Sequence, residues 1–196
     1  MKQDREYRSM TLSVPDCQED AYIVRGYAAT FTPYKLLTID DVDYYERIEP
    51  TAFDGADLSD VVFRVDHEGR VYARSSAGTV ELWTDENGLG QQTDLSKTQK
   101  ARELHADIAA GNYPNMSFAF TVAEDHFDDK TNTRVIDRIA KVYDVSPVAF
   151  PANPDTSLSV ATRDYFAGVS EMRKAERLER EKRERQKHVI KILSEV

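Results

Sequence analysis

Segments with a strand pattern follow one another along most of this chain, and one good helix pattern lies between them. The predicted strands combine aromatic and β-branched residues and are broken by turn residues. They are YIVRGYAATF, DDVDYYERI, VVFRVDHEGRV, the hairpin GTVELWTDENGLGQQTDL, MSFAFTVAEDHF and TRVIDRIAKVYDVSPVAF. The βαβ rhythm that a parallel sheet needs is missing. The pattern therefore predicts a mainly β fold with helices (α+β), as an antiparallel barrel or sandwich.

Two local signals locate a hairpin and the internal helix. The dipeptide Asn87-Gly88 predicts a turn between two strands, because it adopts positive φ at low cost. The segment SKTQKARELHADIAAG predicts a helix that Ser96 caps and Gly111 ends. The apolar residues that share one stripe around this helix are Leu95, Ala101, Leu104 and Ile108.

Charge is distributed unevenly and suggests where the domain ends. The chain carries 26 Lys and Arg against 35 Asp and Glu, a net charge of -9. Residues 169–196 carry nine basic and six acidic side chains, so the rest of the chain is more acidic than the whole. Residues 179–188 include no apolar side chain and cannot bury a helix face. We predict a folded domain over residues 1–165 and a charged helical tail over residues 166–196.

Composition argues against several classes of function. A chain this acidic is a poor candidate for binding a nucleic-acid backbone. No run reaches the roughly 20 apolar residues of a membrane helix, and the amino terminus lacks the apolar core of a signal peptide. Cys17 is the single cysteine, so no internal disulfide can form. We expect an intracellular protein without a nucleic-acid or membrane partner.

Neither a metal nor a cofactor is expected from the motifs. No two histidines have a short ligand spacing, and the cysteine stands alone. The residues Gly88 to Gly90 lie in a hairpin, whereas a phosphate-binding glycine loop joins a strand to a helix. The four histidines are His67, His105, His126 and His188.

The stretch GNYPNMSFAFTV contains the first candidate for chemistry. Its bulky residues, from Met116 to Val122 in steps of two, share one face of a strand. Ser117, Ala119 and Thr121 share the other face, which leaves space for a substrate backbone beside a hydroxyl. A serine that simply faces water is the alternative interpretation.

His67 is the candidate base. In VVFRVDHEGR it continues the face of Phe63 and Val65, near Gly69, where the chain can turn. An imidazole titrates near neutral pH, so it can serve as a general base. The alternative is an imidazole at the edge of the core that is bonded to a carbonyl.

A serine hydroxyl needs a base, and the base needs a group that holds its tautomer. Asp144 is a candidate because it shares a strand face with Val142 and Val148, and a carboxylate among apolar residues needs a partner. A carboxylate at a turn or edge is the alternative interpretation. Pattern alone also allows other acidic residues in this role, namely Asp66, Glu68 and Asp137.

Six motifs occur in an order that resembles the prohead (procapsid maturation) serine proteases of tailed phages. They are GYAATF, ERIEPTAF, FRVDHEG, ENGLGQQTDL, GNYPNMSFAF and YDVSPVAFPANP, and the resemblance covers about residues 5 to 162. That family is similar to the herpesvirus assemblins. The resemblance implies a β-barrel surrounded by helices and a homodimer as the active form. It also implies His67 as base, Ser117 as nucleophile and Asp144 as third member.

The sequence departs from the family at two points. Prohead proteases usually have Glu where Asp144 stands, and assemblins use a second histidine there. Assemblins also have arginines shortly after this position that help to hold the oxyanion, whereas residues 145–162 contain no arginine. The resemblance then implies an oxyanion hole of backbone N–H groups, or an arginine elsewhere in the chain.

The function implied by the resemblance is a serine endopeptidase inside an assembling phage procapsid in the host cytoplasm. Its substrates would be the scaffold region of the major capsid protein, other internal proteins and the protease itself. A second hypothesis is a non-catalytic β-domain, a scaffold or assembly chaperone that docks through its charged tail.

Overall fold

The computed structural model describes residues 5–10, 16–18, 22–150 and 160–194. The chain forms two compact units, Met1–Leu158 and Ser159–Val196. The described strands are β1 (Glu6–Met10), β2 (Asp16–Gln18), β3 (Ile23–Thr30), β4 (Tyr34–Ile39), β5 (Val42–Ile48), β6 (Val62–Val65), β7 (Glu68–Arg74), β8 (Val80–Thr84), β9 (Gly88–Asp94), β10 (Asn115–Asp128) and β11 (Thr133–Val148). The described helices are α1 (Gln99–Ala109), α2 (Val160–Ser194) and a short 3-10 helix (Ser75–Ala77).

The strands form two sheets. The larger has the order β1-β10-β11-β5-β4, with β6 paired to another part of β11 and β7 paired to β6. The smaller has the order β2-β3-β9-β8. Most pairs are antiparallel, but β11 runs parallel to β5 and to β6. The mainly β, α+β prediction is therefore confirmed, while the pairs between described strands do not close a barrel.

One hydrophobic core joins both sheets and α1. It includes Leu89 of the small sheet, Phe63 and Phe118 of the large sheet, and Leu104 of the helix. The rings of Phe118 and Phe120 stack with centroids 4.4 Å apart. Register shifts along the pairing of β10 with β11 mark bulges, and bulges let two long strands bend over a core.

Helix α1 has the predicted stripe but a different cap. The four predicted stripe residues are all buried. The N-cap is Thr98, whose hydroxyl accepts a hydrogen bond from the N–H of Ala101 at 3.1 Å. The prediction that Ser96 caps the helix is wrong. Ser96 lies in a turn before the helix, where its own N–H bonds to the Asp94 carboxylate at 2.8 Å. Gly111 follows the C-cap with φ +83°, as predicted for the end of the helix.

The β8–β9 hairpin is confirmed, with a loop of three residues. The Asp85 N–H bonds to the Gly88 carbonyl, and the Asp85 side chain accepts from the N–H of Asn87. Positive φ occurs at Gly88 and not at Asn87. A Cβ at Gly88 would lie 2.0 Å from the carbonyl oxygen of Ala29, so only glycine fits there.

Buried charges fix the edge strand β1 to the large sheet. The carboxylate of Glu46, which is fully buried, accepts from Arg8 at 2.8 Å and from Arg134 at 3.0 Å. Arg134 also donates to Glu6 on β1. Burial alone would raise the pKa of the Glu6 carboxyl, but the hydrogen bond from Arg134 and the charges of Arg8 and Arg134 outweigh it and lower that pKa. These four side chains tie β1, β5 and β11 together.

Helix α2 is one element of 35 residues. The predicted charged centre of the helix has described side chains at residues 179–187. All of these side chains are exposed. Ion pairs three residues apart, such as Lys182 with Glu179, lie along its surface. The helix begins at Val160, before the predicted start of the tail, and the division at residue 165 stays a prediction. No helix in the described ranges combines the length and apolar character of a membrane span.

Candidate active site

Ser117 lies near the start of β10, between two neighbouring strands. The strand register places it opposite Ser9 of β1 and Ser146 of β11. Its side chain is fully buried, as are those of Met116 and Ala119 beside it. The alternative interpretation, a serine that faces water, is therefore wrong. Both faces of this part of β10 are covered.

His67 lies in a turn rather than on a strand face, so that part of the strand prediction is wrong. Strand β6 ends at Val65, and Asp66 and His67 have φ of +48° and +62°. One bond comes from β11, where the Pro147 carbonyl accepts from the Asp66 N–H at 3.2 Å, and one is local, since Arg64 of β6 donates to the His67 carbonyl at 3.1 Å. Positive φ costs a residue with a side chain about 1–3 kcal/mol, and such residues cluster at functional sites.

The imidazole of His67 lies between the other two candidate residues. Its Nε2 is 2.7 Å from the Ser117 Oγ, and its Nδ1 is 2.6 Å from the Asp144 Oδ1. The carboxylate accepts from Nδ1–H, which leaves Nε2 as the acceptor that the Ser117 hydroxyl needs. The imidazole side chain is 15% exposed and that of Asp144 is 4% exposed, so both contacts are largely shielded from water.

The other acidic candidates contact different groups. The Asp66 carboxylate accepts from the N–H of Ala149 at 3.1 Å. Asp137 lies 2.6 Å from the Nδ1 of His126, in an exposed pair. Glu68 is exposed. Of the four acidic candidates, Asp144 is the one whose carboxylate contacts the imidazole of His67.

Strand β1 covers the site on one side. The ring of Tyr7 meets the imidazole edge-on, with centroids 4.8 Å apart. The carbonyl oxygen of Arg8 lies 2.7 Å from the Ser117 Oγ and accepts from it. A hydroxyl has one proton, so Ser117 donates either to His67 or to this carbonyl at any moment. A serine in this position could act as a nucleophile only while it donates to His67.

Sequence reasoning missed three groups at this site. Ser146 lies two residues after Asp144 on one face of β11, and a search at strand period would have found it. Its hydroxyl lies 2.7 Å from the Asp144 Oδ1. Tyr7 and the Arg8 carbonyl carried no such signal, because β1 reaches Ser117 across 109 positions of the chain.

Metal ligands do not converge in the described part of the molecule. No three of its His, Cys, Asp and Glu side chains come close enough to hold an ion. The side chains of Cys17 and His188 lie outside the described residues.

Comparison with known proteins identifies the family. No curated protein and no solved structure matches the chain. The family model described as caudovirus prohead serine protease matches residues 8–170, and this range includes all three residues that meet at the imidazole. The chain therefore belongs to the caudovirus prohead serine protease family, which indicates a serine protease with a role in phage procapsid maturation.

Proposed function

We propose that this protein is a serine endopeptidase of the Ser-His-Asp type, in which Ser117 is the nucleophile, His67 the general base and Asp144 the residue that orients the base. The observation that supports this most strongly is the imidazole of His67, with one ring nitrogen 2.7 Å from a hydroxyl and the other 2.6 Å from a carboxylate. That order of groups is what activation of a serine requires.

The proposed reaction has two stages. His67 Nε2 takes the hydroxyl proton as the Ser117 Oγ attacks a peptide carbonyl, and the imidazolium returns that proton to the leaving amine. The carbonyl carbon is then bound to Oγ as an acyl-enzyme. Water attacks this ester with His67 again as base, which frees the acid product and the serine. Asp144 accepts the Nδ1–H throughout and stabilises the imidazolium.

The proposed substrates are the scaffold region of the major capsid protein, other internal proteins and the protease itself. Membership of a family with a role in procapsid maturation supports a further proposal, that the reaction occurs inside the assembling procapsid in the host cytoplasm. An assemblin-like barrel and a homodimer as the active form belong to the same proposal. We propose neither nucleic acid nor a membrane as a partner. The net charge of -9 supports the expectation that the protein does not bind nucleic acid.

A fluorophosphonate probe tests the proposed nucleophile without an identified substrate. We expect the full-length protein to be labelled at Ser117, and the variants Ser117→Ala and His67→Ala to be labelled at least about 1,000-fold more slowly. The hydroxyl is buried, so the probe reaches it through local opening, and labelling is followed over hours and across buffers. Peptide mass spectrometry identifies the labelled residue.

His126→Ala is the matched control. His126 also contacts a carboxylate at 2.6 Å, but its pair with Asp137 is exposed, and His126 lies near the other end of β10 from Ser117. This variant should be labelled at the wild-type rate. Absence of labelling of the wild type under every condition, including those that promote dimers, would favour the non-catalytic scaffold instead.

A further inference from the structure

Ser146 lies beside the Asp144 carboxylate but has no part in the proposed triad. The two residues are two positions apart on β11, so their side chains lie on the same strand face. The Ser146 Oγ is 2.7 Å from the Asp144 Oδ1, the same oxygen that contacts His67 Nδ1. The register places Ser146 directly opposite Ser117, so both hydroxyls belong to one face of the sheet.

We propose that Ser146 is a positioning residue, whose hydroxyl donates to Asp144 and holds the carboxylate in the orientation that keeps His67 in place. An ionised carboxylate accepts hydrogen bonds and cannot donate them, so the proton of this bond comes from Ser146. The inference rests on the proposed function, because it concerns the group that orients the base.

Burial makes this second donor important. Ser146 has no exposed surface, and the Asp144 side chain is 4% exposed. A buried carboxylate oxygen needs donors, and bulk water does not reach this one readily. Without the hydroxyl, the hydrogen bond from His67 is the remaining side-chain bond to Oδ1 among those the structure describes. With one donor fewer, the carboxylate turns more easily about its last torsion, and the imidazole that it holds becomes less well placed.

A purely structural serine would behave differently from a positioning residue. Loss of packing would lower stability, and its effect on the reaction would not depend on Asp144. Loss of orientation would lower the rate of the chemical step, leave the binding of a small probe unchanged, and disappear when the carboxylate is already absent. A double-mutant cycle with Asp144 separates these two roles.

The test is fluorophosphonate labelling of the full-length protein at several probe concentrations, which separates the maximal labelling rate from the apparent probe affinity. We expect Ser146→Ala to lower the maximal rate about 10- to 100-fold and to change the affinity less than about twofold, because a hydrogen bond to a charged group is lost. Ser146→Thr keeps the hydroxyl and should recover most of the rate. In an Asp144→Ala background, Ser146→Ala should change the rate less than about twofold.

Thr93→Val is the matched control. Thr93 is also a fully buried residue on a strand, and its hydroxyl donates to the Gln91 side chain at 2.6 Å in the other sheet. This isosteric change removes a buried hydroxyl without touching the candidate site, so labelling should stay at the wild-type rate. Thermal unfolding of every variant shows that the compared proteins are folded.

The outcomes separate this inference from the proposed function. If the wild type is labelled at Ser117 and Ser146→Ala is labelled equally fast, the positioning role is wrong and the triad stands. An equal loss of rate in the wild-type and Asp144→Ala backgrounds would also overturn the role, because the effect would not act through the carboxylate. If the wild type is labelled at another residue, the proposed function and this inference both fail.

Discussion

Replacing Ser117 with alanine should leave the major capsid protein of the phage uncut when the two proteins are co-expressed. The variant keeps the strand and removes the hydroxyl that lies 2.7 Å from His67 Nε2. Removal of a triad serine lowers the rate by about three to six orders of magnitude. Gel analysis and mass spectrometry of the capsid protein, over a time course of assembly, measure the extent and position of cleavage.

Thr93→Val is the control for this experiment. Thr93 is also fully buried on a strand, but it lies in the other sheet, so the change removes a buried hydroxyl away from the candidate site. The control should cleave the capsid protein like the wild type. Equal cleavage by the wild type and Ser117→Ala would show that Ser117 is not the nucleophile.

Replacing Glu46 with alanine is expected to have the largest effect on stability. The Glu46 carboxylate is fully buried and accepts from Arg8 and Arg134, as well as from the hydroxyl of Tyr34. Without it, two buried guanidinium groups share fewer acceptors. Removing one partner from a buried ion pair costs about 3–5 kcal/mol, since it leaves an uncompensated charge. Urea unfolding of the full chain measures the loss.

The exposed ion pair of Glu124 with Arg138 provides the comparison. Their side chains are 63% and 52% exposed, so water already solvates both charges. Glu124→Ala should leave the unfolding midpoint unchanged within error. If Glu46→Ala unfolds at the same urea concentration as Glu124→Ala, the buried charges do not hold β1 in place, and the described edge of the large sheet needs another explanation.

Local patterns identified most of the elements near the site. Alternation predicted the strand that carries Ser117, because side chains of a strand alternate between two faces. The stripe of α1 and the glycine that follows the helix were also visible, since they depend on residues a few positions apart. The three proposed catalytic residues came from strand pattern and family resemblance together, and the structure brings their side chains into contact.

Features that depend on distant parts of the chain were missed. No local rule gave the parallel pairing of β11 with β5 and β6, or the place of β1 beside β10. No local pattern singles out the buried charges of Glu6, Arg8, Glu46 and Arg134, because their partners lie up to 128 positions away. The turn at His67 was also missed, since Asp66 and His67 form a two-residue hairpin loop with positive φ, and neither is the glycine that usually marks such a loop.

A crystal structure of the full chain after reaction with the fluorophosphonate tests the central claim most directly. We expect phosphorus bonded to the Ser117 Oγ, with the imidazole of His67 next to that oxygen and its Nδ1 within about 3 Å of the Asp144 carboxylate. Phosphorus on a different side chain, or an imidazole that contacts neither Ser117 nor Asp144, would contradict the account.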